Sequence, residues 1–106
     1  MKEMTDLIKI YIAGPMRGHD ECNYPAFYAA ESKLKNKNIY EVVNPARMDD
    51  ESGLGQLSDI RVALKRDIDE IFEVDSMYML RGWEKSEGAI VEHALAVYLG
   101  LYILYQ

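Results

Sequence analysis

Three consecutive pieces of the chain decide its fold class: Met77-Tyr-Met-Leu80, then Arg81-Gly-Trp-Glu-Lys-Ser86, then Glu87-Gly-Ala-Ile-Val-Glu-His-Ala-Leu-Ala-Val-Tyr-Leu99. The first piece ends a short, mostly apolar run from Asp75 that is typical of a buried strand. The third piece has the composition of a helix, and Ser86 stands at its N-cap position. A strand that leads through a short loop into a helix is the building unit of parallel α/β sheets.

Three further strands are predicted on the same grounds. Leu7–Ala13 is an apolar, β-branched run that ends at Gly14-Pro15, Ile39–Val43 ends at Asn44-Pro45, and Leu101–Tyr105 follows the helix quoted above. The alternation of strands with helices therefore extends over the whole chain.

Two helices are predicted between these strands. One runs from Pro25 to about Lys37 with Asn23 as its cap, and buries the face that carries Phe27, Ala30 and Leu34. The other runs from about Ser58 to Phe72. Residues 44–57 are rich in Asp, Gly and Asn and predict a long loop.

This order of elements predicts one domain over residues 1–106, with a small doubly wound, flavodoxin-like α/β fold. We expect about four parallel strands in the order 2-1-3-4, with helices on both faces. Ligands of such sheets bind beyond the carboxyl ends of the first and third strands, where the winding reverses.

Composition narrows the classes of function. The chain is 49% hydrophobic and 28% charged, as in ordinary soluble globular proteins, and its formal net charge of −6 disfavours a nucleic-acid polymer as partner. The N-terminal stretch resembles neither a signal peptide nor a membrane span. A single cysteine, Cys22, suits a reducing, cytoplasmic setting.

Two loops are predicted to meet at the switch point: Gly14-Pro15-Met16-Arg17-Gly18 and Arg81–Ser86. Glycine N–H groups, a guanidinium and a helix N-terminus together suit a phosphate or another small anion. The P-loop and dinucleotide fingerprints are absent, so P-loop hydrolysis and conventional dinucleotide binding are both disfavoured. His19 and His93 are too isolated to suggest a metal site, and we expect both in loops or at the surface.

Glu92 is the candidate catalytic residue of the last helix. It falls in the second turn, below Gly88, so its carboxylate should lean back toward the mouth of the loop. It also shares a face with small and apolar residues, where a solvated glutamate is out of place. The alternative is a boundary glutamate whose carboxylate reaches water.

Asp67 is the second anomalous carboxylate. It projects into the apolar stripe of its helix, which is formed by Ile60, Ala63, Leu64, Ile68 and Ile71. Such a carboxylate must be paired or must face a polar cavity, so a structural pairing with a neighbouring Arg or Lys is the alternative. Asp69 and Glu70 are expected in solvent. Two carboxylates beside an anion pocket can attack an anomeric carbon.

Three motifs together resemble the nucleoside 2-deoxyribosyltransferase-like superfamily, which includes deoxynucleoside 5'-monophosphate N-glycosidases: Tyr11-Ile-Ala-Gly-Pro-Met-Arg-Gly18, Asp67, and Ser86-Glu-Gly-Ala-Ile-Val-Glu92. The resemblance implies that Glu92 is a nucleophile at C1' of a deoxyribosyl group, hydrogen-bonded and tuned by Tyr11. Asp67 would contact the sugar or assist proton transfer to the departing base.

The resemblance also implies a small nucleoside or nucleotide as ligand, no cofactor, and a homodimer or higher homo-oligomer. Arg17 and Ser86 would contact a 5'-phosphate. Pro15 departs from the serine usual in the monophosphate-cleaving branch, which removes one hydroxyl and one N–H from the anion pocket.

Simpler roles are open for each of these residues. Tyr11 can be a core tyrosine with a satisfied hydroxyl, Arg17 a solvent-facing charge, and Ser86 an ordinary helix cap. Trp83 can stack on a base or pack against a partner subunit. The sequence thus predicts an enzyme of N-glycosidic bonds, hydrolase or transferase, or else a nucleotide-binding protein without turnover. A third alternative is an interaction module that uses Trp83 and the tyrosines as its contact surface.

Overall fold

A computed structural model describes residues 6–53 and 59–106, and its centre is a parallel sheet of four strands in the order β2-β1-β3-β4. The strands are β1 Ile8–Ala13, β2 Tyr40–Val43, β3 Ser76–Met79 and β4 Tyr102–Tyr105. All three pairings are parallel, and Tyr11 lies between Val43 and Met77 in register. The predicted doubly wound α/β fold and its strand order are confirmed.

The described part of the chain contains four α-helices: α1 Tyr24–Lys35, α2 Pro45–Ser52, α3 Ile60–Ile71 and α4 Glu87–Leu99. Short 3-10 helices precede α1, at Asp20–Asn23, and α4, at Trp83–Lys85.

Side chains that alternate along β1 and β3 form two cores, one on each face of the sheet. The first core packs Ile10, Ile12 and Tyr78 against α1 and α2, and includes the predicted face Phe27, Ala30 and Leu34. The second core packs Tyr11, Met77 and Met79 against α3 and α4. Burial on both faces explains why the central strands are apolar at successive positions.

The predicted loop over residues 44–57 is wrong for its first half, because α2 occupies Pro45–Ser52. The Asn44 side chain accepts a 2.9 Å hydrogen bond from the Ala46 N–H, and Pro45 sits at the first helical position, where its missing N–H has no cost. Asn-Pro therefore both ends β2 and begins a helix. Residues 54–57 lie outside the described residues.

Asn23 stands at the predicted N-cap position of α1, but its side chain does not cap the helix. Asn23 precedes α1 in the left-handed region (φ 59°) and makes no cap bond with its side chain. Its Nδ2 instead donates to the Pro15 carbonyl at 2.9 Å, which fastens the start of α1 to the turn after β1.

The starts of the other two helices are well defined. The Ser86 hydroxyl accepts a 3.3 Å hydrogen bond from the Ala89 N–H, which confirms the cap of α4. For α3 the cap is Asp59, which accepts from the Arg61 N–H at 2.8 Å, and the predicted start at Ser58 lies outside the described residues. None of the helices in residues 6–53 and 59–106 has the length and apolar character needed to cross a bilayer.

Candidate active site

A cavity of about 370 Å³ lies beyond the carboxyl ends of β1 and β3, at the predicted switch point. This volume falls in the lower part of the range found for small-molecule sites. The cavity brings together nine of the predicted site residues: Tyr11, Gly14, Pro15, Met16, Arg17, Asp67, Ser86, Gly88 and Glu92. Two others, Gly18 and Trp83, are not among its lining residues.

The centre of the site is a hydrogen bond between a strand and a helix that lie 81 residues apart in sequence. The hydroxyl of Tyr11, a fully buried residue of β1, donates to Glu92 Oε2 of α4 at 2.6 Å. Glu92 is only 6% exposed, so it is not a boundary residue that reaches water. The simpler role of Tyr11 as a core residue holds as well, since its ring lies in the second core.

Burial raises the pKa of Glu92 to about 8. The hydrogen bond from Tyr11 acts in the opposite direction, because it stabilises the charged carboxylate, whereas the nearby charge of Asp67 raises the pKa further. A carboxyl with so perturbed a pKa beside a cavity is typical of functional sites.

Asp67 lines the same cavity and is also paired, so its two alternative roles hold together. Its Oδ1 accepts hydrogen bonds from Arg66 Nε at 2.9 Å and from Arg66 Nη2 at 2.7 Å. Burial raises the pKa of Asp67 to about 6, while hydrogen bonding to Arg66 limits the rise. Interaction with the Tyr11 hydroxyl also lowers the pKa of Asp67.

Asp49 and Arg66 complete a polar chain that the sequence does not predict. Arg66 Nη1 lies 2.7 Å from Oδ1 of Asp49, a buried residue of α2, and the Tyr24 hydroxyl donates to Asp49 Oδ2 at 2.8 Å. The polar chain thus runs from α1 through Asp49, Arg66 and Asp67 to Tyr11 and Glu92. The signal that reveals Asp49 is the Asn44-Pro45 helix start, which places it on a helix.

The other end of the cavity holds the residues predicted to bind an anion. Arg17 is exposed after β1, and Ser86 and Gly88 lie at the N-terminus of α4. Lys85 lines the same region and adds a second cation. A helix N-terminus beside two cations favours a phosphate or another small anion.

Gly14 and Gly88, two glycines of the cavity wall, are required or allowed for different structural reasons. A Cβ at Gly14 would lie 2.7 Å from the Leu80 Cβ, so only glycine lets the turn after β1 pass β3 this closely. A Cβ at Gly88 would meet nothing within 4 Å. Gly88 therefore leaves open space at the cavity wall, as expected for a position beside a ligand.

A comparison with protein-family models identifies the family to which this fold and site belong. The model described as "Domain of unknown function (DUF4406)" matches residues 8–105. The chain belongs to the DUF4406 family. Searches of curated proteins and of solved structures found no match.

In this DUF4406 domain, Trp83 has an environment that neither alternative predicted. Its ring stacks on His93, with centroids 4.2 Å apart, and His93 Nε2 lies 2.8 Å from the Tyr105 hydroxyl. Trp83 thus packs within its own chain and ties the loop after β3 to α4 and β4. The expectation of a surface role fits His19, which is exposed, and is wrong for His93, which is half-buried in this aromatic cluster.

Asp69 and Glu70 are both predicted to lie in solvent. Asp69 is exposed and lies 3.3 Å from Lys65, whereas Glu70 is half-buried.

Within residues 6–53 and 59–106 of the DUF4406 domain, no group of three or more His, Cys, Asp or Glu side chains is arranged to hold a metal ion.

Proposed function

We propose that this DUF4406 domain cleaves the N-glycosidic bond of a 2'-deoxynucleoside 5'-monophosphate or a related nucleoside or nucleotide, as an N-hydrolase or a deoxyribosyltransferase. One observation carries the proposal: the Tyr11 hydroxyl joins buried Glu92 at 2.6 Å, and Asp67 lines the same cavity. Paired carboxyls around one cavity are the usual machinery of glycosidic bond cleavage.

The reaction has two steps. A Glu92 carboxylate oxygen attacks C1', forming a C–O bond while the C1'–N bond breaks and its electron pair leaves with the base. Asp67 gives a proton to that base. Water, or the nitrogen of a second base, then attacks C1' and releases Glu92, while Asp67 recovers a proton from the acceptor.

The two carboxyls lose their protons on either side of neutral pH. With pKa values of about 6 for Asp67 and about 8 for Glu92, the two carboxyls hold one proton between them in the intervening range. These pKa values place that proton mainly on Glu92, whereas the reactive form has the proton on Asp67 and the charge on Glu92, so a proton must first pass from Glu92 to Asp67. The Tyr11 hydroxyl links these forms, because it can accept the Glu92 proton while it gives its own to Asp67.

The preference for a phosphorylated substrate rests on the cationic end of the cavity. Arg17 and Lys85 flank the N-terminus of α4, and Ser86 and Gly88 leave room there for a small anion. Glu87, in the first turn of α4, also lines the cavity and offsets part of this positive charge. A cytoplasmic location belongs to the same proposal and is supported by the free, buried thiol of Cys22.

The test is release of free base from a panel of deoxynucleotides and matching deoxynucleosides. We expect release from at least one monophosphate and a loss of more than about a hundredfold in Glu92→Gln, which keeps the size and hydrogen bonding of the side chain. Glu73→Gln, at an exposed position, is the matched control. Exchange of a labelled free base into the substrate distinguishes a transferase from a hydrolase.

A nucleotide-binding protein without turnover is the second candidate. The observation in its favour is the pKa of Glu92 near 8, because a protonated carboxyl is a poor nucleophile. Binding of deoxynucleotides without base release, equal in native protein and Glu92→Gln, would support this second candidate against the first.

A further inference from the structure

The C-terminal part of the chain has an unusual composition for its exposure. Residues 94–106 contain no Asp, Glu, Lys or Arg, although 28% of the chain is charged. Several of their apolar side chains are nevertheless exposed, including Tyr98 at 88%, Tyr102 at 81% and Tyr105 at 57%. We call Val97, Tyr98, Tyr102, Leu104 and Tyr105 the β4 edge patch.

Tyr102, Leu104 and Tyr105 of the patch belong to β4, whose outer edge has free backbone groups, and Val97 and Tyr98 belong to the last turn of α4. The N–H groups of Tyr102 and Gln106 donate to the carbonyls of Asp75 and Met79, toward β3. Alternate residues of a strand point their N–H and C=O groups in opposite directions, so Ile103 and Tyr105 present theirs at the outer edge. Since β4 is an outer strand of the sheet, no described strand pairs with that edge.

Such an edge is a template for pairing with another strand, and proteins usually protect it with charges, proline or a bulge. Residues 101–105 contain none of these charges and no proline. Apolar side chains also lie on both sides of the edge: Tyr102 and Leu104 alternate with Leu101 and Ile103, which pack toward the second core. The β4 edge patch is therefore suited to strand pairing and to apolar contact together.

We propose that the β4 edge patch is the contact between two copies of this chain, with the two β4 strands antiparallel about a twofold axis in one continuous sheet. An identical edge satisfies its own free N–H and C=O groups in this arrangement, which closes at two copies. The absence of charge lets two chains of net charge −6 approach at this surface.

The exposed tyrosines of the patch supply more than half of the area that a standard interface buries on each partner. At roughly 200 Å² for a whole tyrosine side chain, the three exposed tyrosines alone offer about 450 Å². A standard interface buries about 800 Å² on each partner. Val97, Leu104 and the paired backbone supply much of the remainder, and tyrosine is a residue type enriched in interfaces.

The first test is sedimentation of the full chain over a range of concentrations. We expect a dimer of twice the 12.2 kDa chain mass, and at least a hundredfold weaker association in Tyr98→Lys/Tyr102→Lys with unchanged circular dichroism. Val62→Lys/Phe72→Lys adds the same charge at two exposed apolar positions of another surface and should leave the dimer intact. A monomeric native protein, a dimer unaffected by the first variant, or open assemblies larger than two copies would overturn the proposal.

The second test needs no variant, so it stands even where the lysine substitutions prevent folding. Amide hydrogen exchange at Ile103 and Tyr105 should slow as protein concentration rises, because these N–H groups become bonded only in the dimer. Exchange at these two amides that is independent of concentration would contradict the pairing. Neither test depends on the glycosidase activity proposed above.

Discussion

The hydroxyl of Tyr11 donates a 2.6 Å hydrogen bond to Glu92 in a site where both side chains are buried. This bond stabilises the carboxylate form of Glu92 against the desolvation that raises its pKa. Tyr11→Phe keeps the ring in the second core and removes only the hydroxyl. We expect the pKa of Glu92 to rise above about 8 and base release to fall about tenfold to a hundredfold, as for loss of a hydrogen bond to a charged group.

The measurement is the pH dependence of base release in native protein and Tyr11→Phe. Tyr102→Phe removes a hydroxyl from an exposed residue and should behave like the native protein. Equal rates in native protein and Tyr11→Phe would show that the hydroxyl has no part in the reaction.

The pair of carboxyls predicts a bell-shaped profile of kcat/KM against pH, with limbs near 6 and 8. Below the lower limb both carboxyls are protonated and Glu92 cannot attack. Above the upper limb both are ionised and Asp67 has no proton to give.

Asp67→Asn should change the shape of that profile as well as its height. It removes the acid and also the neighbouring charge that raises the pKa of Glu92. We expect a lower rate that rises with pH through one ionisation, below pH 8, to a plateau. A variant that keeps the alkaline limb would contradict the assignment of Asp67 as the acid.

Stability should depend on pH through Glu92. Its pKa is about 8 in the folded protein against 4.5 for an unperturbed glutamate, so the folded state binds its proton more tightly. This residue's contribution to the free energy of unfolding is therefore complete below pH 4.5 and is lost as pH rises through 8. The expected loss is up to about 1.4 kcal/mol for each pH unit.

The glutamine side chain of Glu92→Gln does not ionise. The free energy of unfolding of this variant, relative to that of native protein, should therefore increase between about pH 5 and pH 8 and then level off. Urea denaturation at a series of pH values measures this difference. A constant difference over that range would show that Glu92 is not desolvated in the folded protein.

Arg66 holds two buried or half-buried carboxylates, Asp49 and Asp67, on different helices. Arg66→Met leaves both without their cation, and we expect a loss of roughly 2–4 kcal/mol of unfolding free energy, since unpaired buried charges are costly. Lys65→Met, which removes the exposed pair with Asp69, should cost less than about 1 kcal/mol.

Replacing Asp49 together with Arg66 distinguishes pairing from packing. Asp49→Asn in the Arg66→Met background should cost less than the two separate losses added together, because it removes the carboxylate that Arg66→Met leaves unpaired. Additive losses in urea denaturation would argue that Asp49 and Arg66 stabilise the protein independently.

The sequence by itself determined the topology, because the alternation of apolar runs with helical segments leaves few arrangements for a parallel sheet. It also determined the candidate carboxylates, since Asp67 and Glu92 are charges at positions where an α/β helix is normally apolar. The Ser86 cap was predictable for a similar reason: it depends on residues within one turn.

Only the tertiary structure decided which partners these residues have. Tyr11 and Glu92 lie 81 residues apart, and Asp49 of α2 meets Arg66 of α3 only in the folded chain, so neither contact leaves a local pattern in the sequence. The Asn44-Pro45 helix start and the Asn23 bond to Pro15 show the same limit, because one residue type can end a strand, cap a helix or fasten a turn. Hydrogen bonds are satisfied by whichever group is near in space, and that proximity is a property of the folded chain.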